Sequence, residues 1–146
     1  MASVHDVAAY ILREQGAMST WKLQKLVYYS QAWHLVWDDK PLFREPVRAW
    51  ANGPVVPQLY RTHSGRFEVD ESWGAKHGDA DVLSHQEAAS VDAVLGFYAS
   101  KSGQWLSELT HRERPWRDAR KGVPEGERSN RLIALDAMAE YYGSLP

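Results

Sequence analysis

The stretch Trp21-Lys22-Leu23-Gln24-Lys25-Leu26-Val27-Tyr28-Tyr29-Ser30-Gln31-Ala32-Trp33-His34-Leu35 decides the fold. Leu23, Leu26, Val27, Trp33 and Trp37 recur at helical spacing and form one stripe. Tyr28, Tyr29, Ala32, Leu35 and Val36 widen that stripe well beyond a narrow seam. A helix apolar over most of its girth is expected at the centre of its domain. Ser19 or Thr20 supplies the cap, and the helix is predicted to run to about Trp37.

Upstream, Val4, Val7, Ala8, Ile11 and Leu12 share a helical face, with Ser3 or Asp6 as cap and Gly16 as terminator. Downstream, Asp38-Asp39-Lys40-Pro41 reads as a turn. Residues 46–51 alternate in a way that suits a short strand, and Asn52-Gly53-Pro54 breaks it. Gly53 can take positive φ, and Pro54 keeps Gly53 out of the α region. Pro57 is placed to open a helix through Leu59 and Tyr60, ending near Gly65.

Residues 66–83 read as a polar, glycine-containing loop with one tryptophan, Trp73. Ser84-His85-Gln86-Glu87 is a capping box that opens a helix with Ala88, Val91, Val94, Leu95 and Tyr98 on one face. A short helix follows through Trp105, Leu106 and Leu109, then a proline- and glycine-containing stretch. A last helix is expected from Ile133 to Tyr142. The fold class read from this pattern is mainly α (α+β): one compact multi-helix domain over residues 1–146, with a minor β element near residues 46–51.

Composition narrows the function. The 146 residues suffice for one core. Aromatics make up 12%, with seven Trp and seven Tyr, enough to supply both core and interface anchors. The net charge of −2 disfavours nucleic acid and anionic membranes as partners. The absence of cysteine removes disulfides, thiolate chemistry and Cys-based zinc sites, and suits a cytoplasmic protein. No apolar run approaches membrane-spanning length, and Met1 to Asp6 does not open a signal peptide. His5, His34, His63, His77, His85 and His111 include no pair at the spacing of a helical zinc site, so neither metal nor cofactor is expected.

Three motifs in order resemble the SocA-like Panacea domain, found in antitoxins of bacterial and phage toxin–antitoxin pairs. The first is Lys22-Leu23-Gln24-Lys25-Leu26 leading into Tyr28-Tyr29 and Trp33-His34. The second spans Pro46 to Tyr60, with Trp50 and Gly53-Pro54-Val55-Val56-Pro57. The third is Leu106, Leu109-Thr110-His111, Pro115-Trp116 and Ala119-Arg120. The resemblance implies a non-enzymatic, mostly helical antitoxin that neutralises a cognate toxin, encoded by the adjacent gene, through direct contact. One branch looks like a proteolytic adaptor that delivers its toxin to an AAA+ protease, and the setting implied is phage defence. Leu23, Lys25, Leu26, Gly53, Pro54, Val55, Pro57 and His111 are the motif residues expected to be structural.

For the partner surface, the expected aromatic anchors are Tyr28, Trp33, Trp50, Tyr60 and Trp116, with Arg112, Arg114 and Arg117 as steering charges. Two other classes remain open on the residues. His111 with Glu113 and Asp118 suggests acid–base chemistry in a small enzyme, though no nucleophile, phosphate loop or metal spacing accompanies them. The order helix, Gly16, Ser19-Thr20, helix imitates a helix-turn-helix, and Lys22, Gln24 and Lys25 would have to meet DNA in an autoregulator. The stretch from Arg112 to Arg131, seven basic residues against four acidic, can meet an acidic surface or remain a solvated loop.

Overall fold

The computed structural model describes residues 1–146 throughout. Its centre is a 19-residue helix, Thr20–Asp38, which we label α2 after α1, Val4–Gln15. Twelve consecutive or near-consecutive residues of α2, Leu23 to Ala32 plus His34 and Leu35, are buried. A helix can lose every face to the interior only if neighbours surround it, and they do. It packs on α1, α5 (His85–Tyr98), α6 (Gly103–Arg112) and α8 (Leu135–Gly143). The mainly helical class expected from the sequence is the class observed.

The caps follow the sequence. Ser3 and Asp6 act together as a capping box on α1, Ser19 accepts from Lys22 N on α2, and Ser84 with Glu87 caps α5. The strand expected at residues 46–51 is β2, Val47–Trp50. It is the middle of a three-stranded antiparallel sheet, between β3, Gly53–Val55, and β5, Leu132–Ile133. Trp50 pairs with Gly53, so Ala51-Asn52 is a tight hairpin end, and Gly53, which opens β3, has φ +122°. Helix α3, Pro57–His63, follows directly with Pro57 in its first turn.

Two expectations fail. Residues 66–83 are not a plain loop. They contain β4 (Glu68–Val69, paired with β1, Met18–Ser19), helix α4 (Glu71–His77) and a 3-10 turn at Ala80–Val82. Asp70 caps α4 by accepting from Trp73 N, and Trp73 is buried. Gly74 lets α4 lie close on α1: a Cβ there would stand 3.1 Å from Ala9 Cα. The polar composition of a seven-residue helix hid one buried edge. The second failure is Ile133, which enters the sheet rather than opening the last helix. That helix starts at Leu135, and α7 (Arg114–Ala119) precedes the loop that leads to it.

Candidate functional site

The β2–β3 hairpin is fixed by its carbonyls. The Trp116 indole donates to Trp50 O at 2.7 Å, Ser107 Oγ to Asn52 O at 2.7 Å, and Arg120 Nη1 to Ala49 O at 3.0 Å. From the other side, Lys25 Nζ donates to Pro54 O at 3.4 Å. Gln24 clamps Val56, just past β3, accepting from Val56 N at 2.9 Å and donating to Val56 O at 3.3 Å. The three sequence motifs therefore meet at one hairpin, the second gripped between the first and the third.

In front of this hairpin lies a cleft of about 1070 Å³. Trp50, Tyr60 and Trp21 form its aromatic walls, and Arg61 and Arg128 supply its surface cations. No aspartate or glutamate lines it. Trp50 and Tyr60 meet edge to face with ring centroids 5.0 Å apart. The Trp50 indole also donates to Asn130 Oδ1 at 2.9 Å, which ties the loop before β5 to the cleft rim.

The floor holds Lys25, with no exposed surface at all. Burial strips its ammonium of water and lowers its pKa from 10.5 to about 7. Its single hydrogen bond, at 3.4 Å, is long for a charged donor. Gly53 is required beneath it: a Cβ there would stand 2.6 Å from Lys25 Cε and 3.2 Å from Thr110 Oγ1. His63 beside it bonds Gln24 Nε2 at 3.0 Å and has a lowered pKa, first through burial and also through the Lys25 charge.

The other candidates separate. Tyr28 is 1% exposed and Trp116 is 7% exposed, so burial removes both from the set of surface anchors. Tyr28 bonds Tyr142, and Trp116 stacks on His111 at 4.0 Å with its indole spent on the hairpin. Trp33 is half-buried and lies away from the cleft, donating to Tyr98 OH and stacking on Trp37. Arg112, Arg114 and Arg117 are exposed on α6 and α7, outside the cleft lining. Of the expected anchors, only Trp50 and Tyr60 are brought together.

The acid–base set does not assemble. Glu113 accepts from Tyr29 OH and Tyr142 OH, each at 2.7 Å, and Asp118 faces Arg117. His111 Nε2 is buried with no partner, and burial lowers the His111 pKa. The helix-turn-helix reading fails on the same kind of detail. Lys22 Nζ is engaged by Ala99 O at 2.6 Å, while Gln24 and Lys25 are buried. Those side chains cannot reach a DNA groove.

Residues 23–117 match the family model described as antitoxin SocA-like, Panacea domain. The chain belongs to this family. No curated protein and no solved structure matches it. The matched span of the Panacea domain covers Lys25, Gly53, Pro54, His111 and Trp116, which are the parts that build and grip the hairpin. Leu23, Leu26 and Val55 are buried motif residues, and Pro57 starts α3. Arg128 and Asn130 lie beyond the matched span yet complete the cleft. Sequence reading missed Trp21, Asn52, Arg61, Arg128 and Asn130. The one available signal was Lys25 itself, a lysine within a helix that is apolar over most of its girth. No helix of the chain is long and apolar enough to cross a membrane.

Proposed function

We propose that this protein is an antitoxin that neutralises a cognate toxin by direct binding, with Trp50 and Tyr60 as its central anchors. Family membership supports the antitoxin role. The observation that carries the surface is the Trp50–Tyr60 pair at the edge of a cleft lined by cations and no carboxylate. Aromatic anchors flanked by arginine are the composition of interface hot spots. Arg112, Arg114 and Arg117 add positive charge on α6 and α7, where they steer an acidic toxin surface toward contact. The toxin is expected from the adjacent gene, in the cytoplasm, within a toxin–antitoxin pair serving phage defence.

Co-expression with the neighbouring gene's product tests the reading, scored by growth rescue and co-purification. Rescue with a stable complex is expected. Tyr60→Ala, at a side chain 40% exposed, is expected to weaken that complex by roughly thirtyfold if it is a hot spot. A neighbour that is harmless and unbound overturns the proposal.

A second reading has its own observation. Trp37 and Phe97 are 48% and 61% exposed, and both adjoin the Trp33–Tyr98 pair on α2 and α5. A proteolytic adaptor needs such a second surface, one for toxin and one for an AAA+ protease. Toxin loss only when toxin, this chain and purified protease are mixed supports the adaptor. Growth rescue without co-purification points the same way.

A further inference from the structure

The cleft is large enough to hold a small molecule. At about 1070 Å³ it falls at the upper end of small-molecule sites, which are concave, largely aromatic or apolar, and carry a few placed polar groups. Its cations stand out against a chain with 19 acidic and 17 basic residues, because no acidic residue lines the cleft. Arg61 and Arg128 take part in none of the four ion pairs, so both guanidinium forks are free for an external anion.

The walls and floor narrow the chemistry. Trp50, Tyr60 and the 41%-exposed Trp21 line the cleft, and aromatic rings are the platform on which a nucleobase stacks regardless of its identity. Asn52 is exposed at the hairpin end and offers both an amide donor and an amide acceptor to a base edge. At the floor, Lys25 carries three donors for one long hydrogen bond. A buried amine with a single weak partner is unfavourable for folding, and an anion in the cleft above it offsets that cost through space, since no surface of Lys25 is open to direct contact. Packing around Gly53 holds that amine in place.

We propose that this cleft binds a nucleoside phosphate, with the base against Trp50 and Tyr60 and the phosphates toward Arg61, Arg128 and the Lys25 floor. The inference rests on the cleft and not on the antitoxin reading. An acidic peptide would use the cations but would leave the stacking faces and the amide of Asn52 without a role.

Calorimetric titration and thermal shift of the purified full chain test this with no toxin present. The probes are ATP and GTP, with adenosine as the ring without phosphate and inorganic triphosphate as the phosphate without ring. A nucleotide is expected to bind and to raise Tm, and each half-ligand to bind at least about tenfold more weakly. The double variant Arg61→Ala, Arg128→Ala is expected to stay folded and to lose roughly tenfold or more in affinity. Lys25→Met is expected to weaken binding in the same direction, with circular dichroism reporting its fold. Failure of both nucleotides to bind at millimolar concentration overturns the proposal and leaves the antitoxin reading standing. Triphosphate binding as tightly as ATP, or an arginine double variant binding unchanged, also overturns it.

Discussion

Two of the polar clusters that helix α2 buries are built on opposite terms. Toward α8, Tyr28, Tyr29 and Tyr142 surround Glu113, and each hydroxyl finds a partner at 2.7–3.0 Å. Burial pushes the Glu113 carboxyl up and the three phenols above their ordinary range, so this knot resists ionising anywhere inside it. Toward the cleft, Lys25 has one contact of 3.4 Å and His111 has a ring nitrogen with none. A satisfied network specifies and rigidifies a core, while an under-satisfied one is a cost that folding alone does not explain. The first cluster belongs to the fold. The second lies where the family motifs converge on an open cleft, which is where a site belongs.

Breaking the satisfied side is expected to have the largest effect. Glu113→Ala leaves two buried hydroxyls without their shared acceptor and opens a void. It is expected to lower stability by roughly 3–4 kcal/mol in urea unfolding. Glu113→Gln keeps an acceptor in place and should cost only about 1 kcal/mol. Equal losses for the two variants would show that the carboxyl group itself, and not the volume it fills, holds the knot together. On the other side, Gly53→Ala meets both the φ of +122° and the Lys25 side chain, and should cost roughly 2–3 kcal/mol. In a Lys25→Ala background the clash with Lys25 disappears, while the backbone strain and the 3.2 Å approach to Thr110 Oγ1 remain. The double-mutant cycle should therefore show a coupling of about 1 kcal/mol.

The sequence showed the core more clearly than it showed the site, for physical reasons. Periodicity exposes a buried helix, so α1, α2 and α5 were legible, and caps at Ser3, Ser19 and Ser84 marked their starts. Short elements have too few residues for a period, which is why α4 read as loop and β5 read as helix. Tyr28 and Trp50 look alike as aromatic candidates in sequence, yet neighbours on every side bury one and a hairpin end presents the other. Arg61 and Arg128 are far apart in the chain and meet only because β5 pairs with β2 and carries the preceding loop back to the cleft. No local pattern announces that encounter.

A last effect separates the clusters by pH. Lys25 titrates near 7 in the folded chain and near 10.5 unfolded, so between those values the unfolded chain holds more protons. Stability must then rise with pH across that window, and it is lower at and below neutrality, where the buried amine becomes charged. The groups beside Lys25, His63 and His111, have lowered pKa values and add the same sign, but below about 6.5. Glu113, whose pKa is raised by burial, acts with the opposite sign. The buried tyrosines favour the folded chain less once phenols ionise above about pH 10 in the unfolded state. The interval from pH 7 to 9 lies above the histidines and below the phenols, and a Glu113→Gln variant carries the same window without the opposing carboxyl. Over it the wild-type chain should gain about 2 kcal/mol, seen as a Tm rise of roughly 5 °C. Lys25→Met should be more stable than wild type by up to about 2 kcal/mol at pH 7, with the gap closing by pH 9. A wild-type Tm that stays flat across the interval would mean that Lys25 keeps its charge in the folded state. Water or an anion would then already be partnering it, and the contrast with the Glu113 knot would vanish.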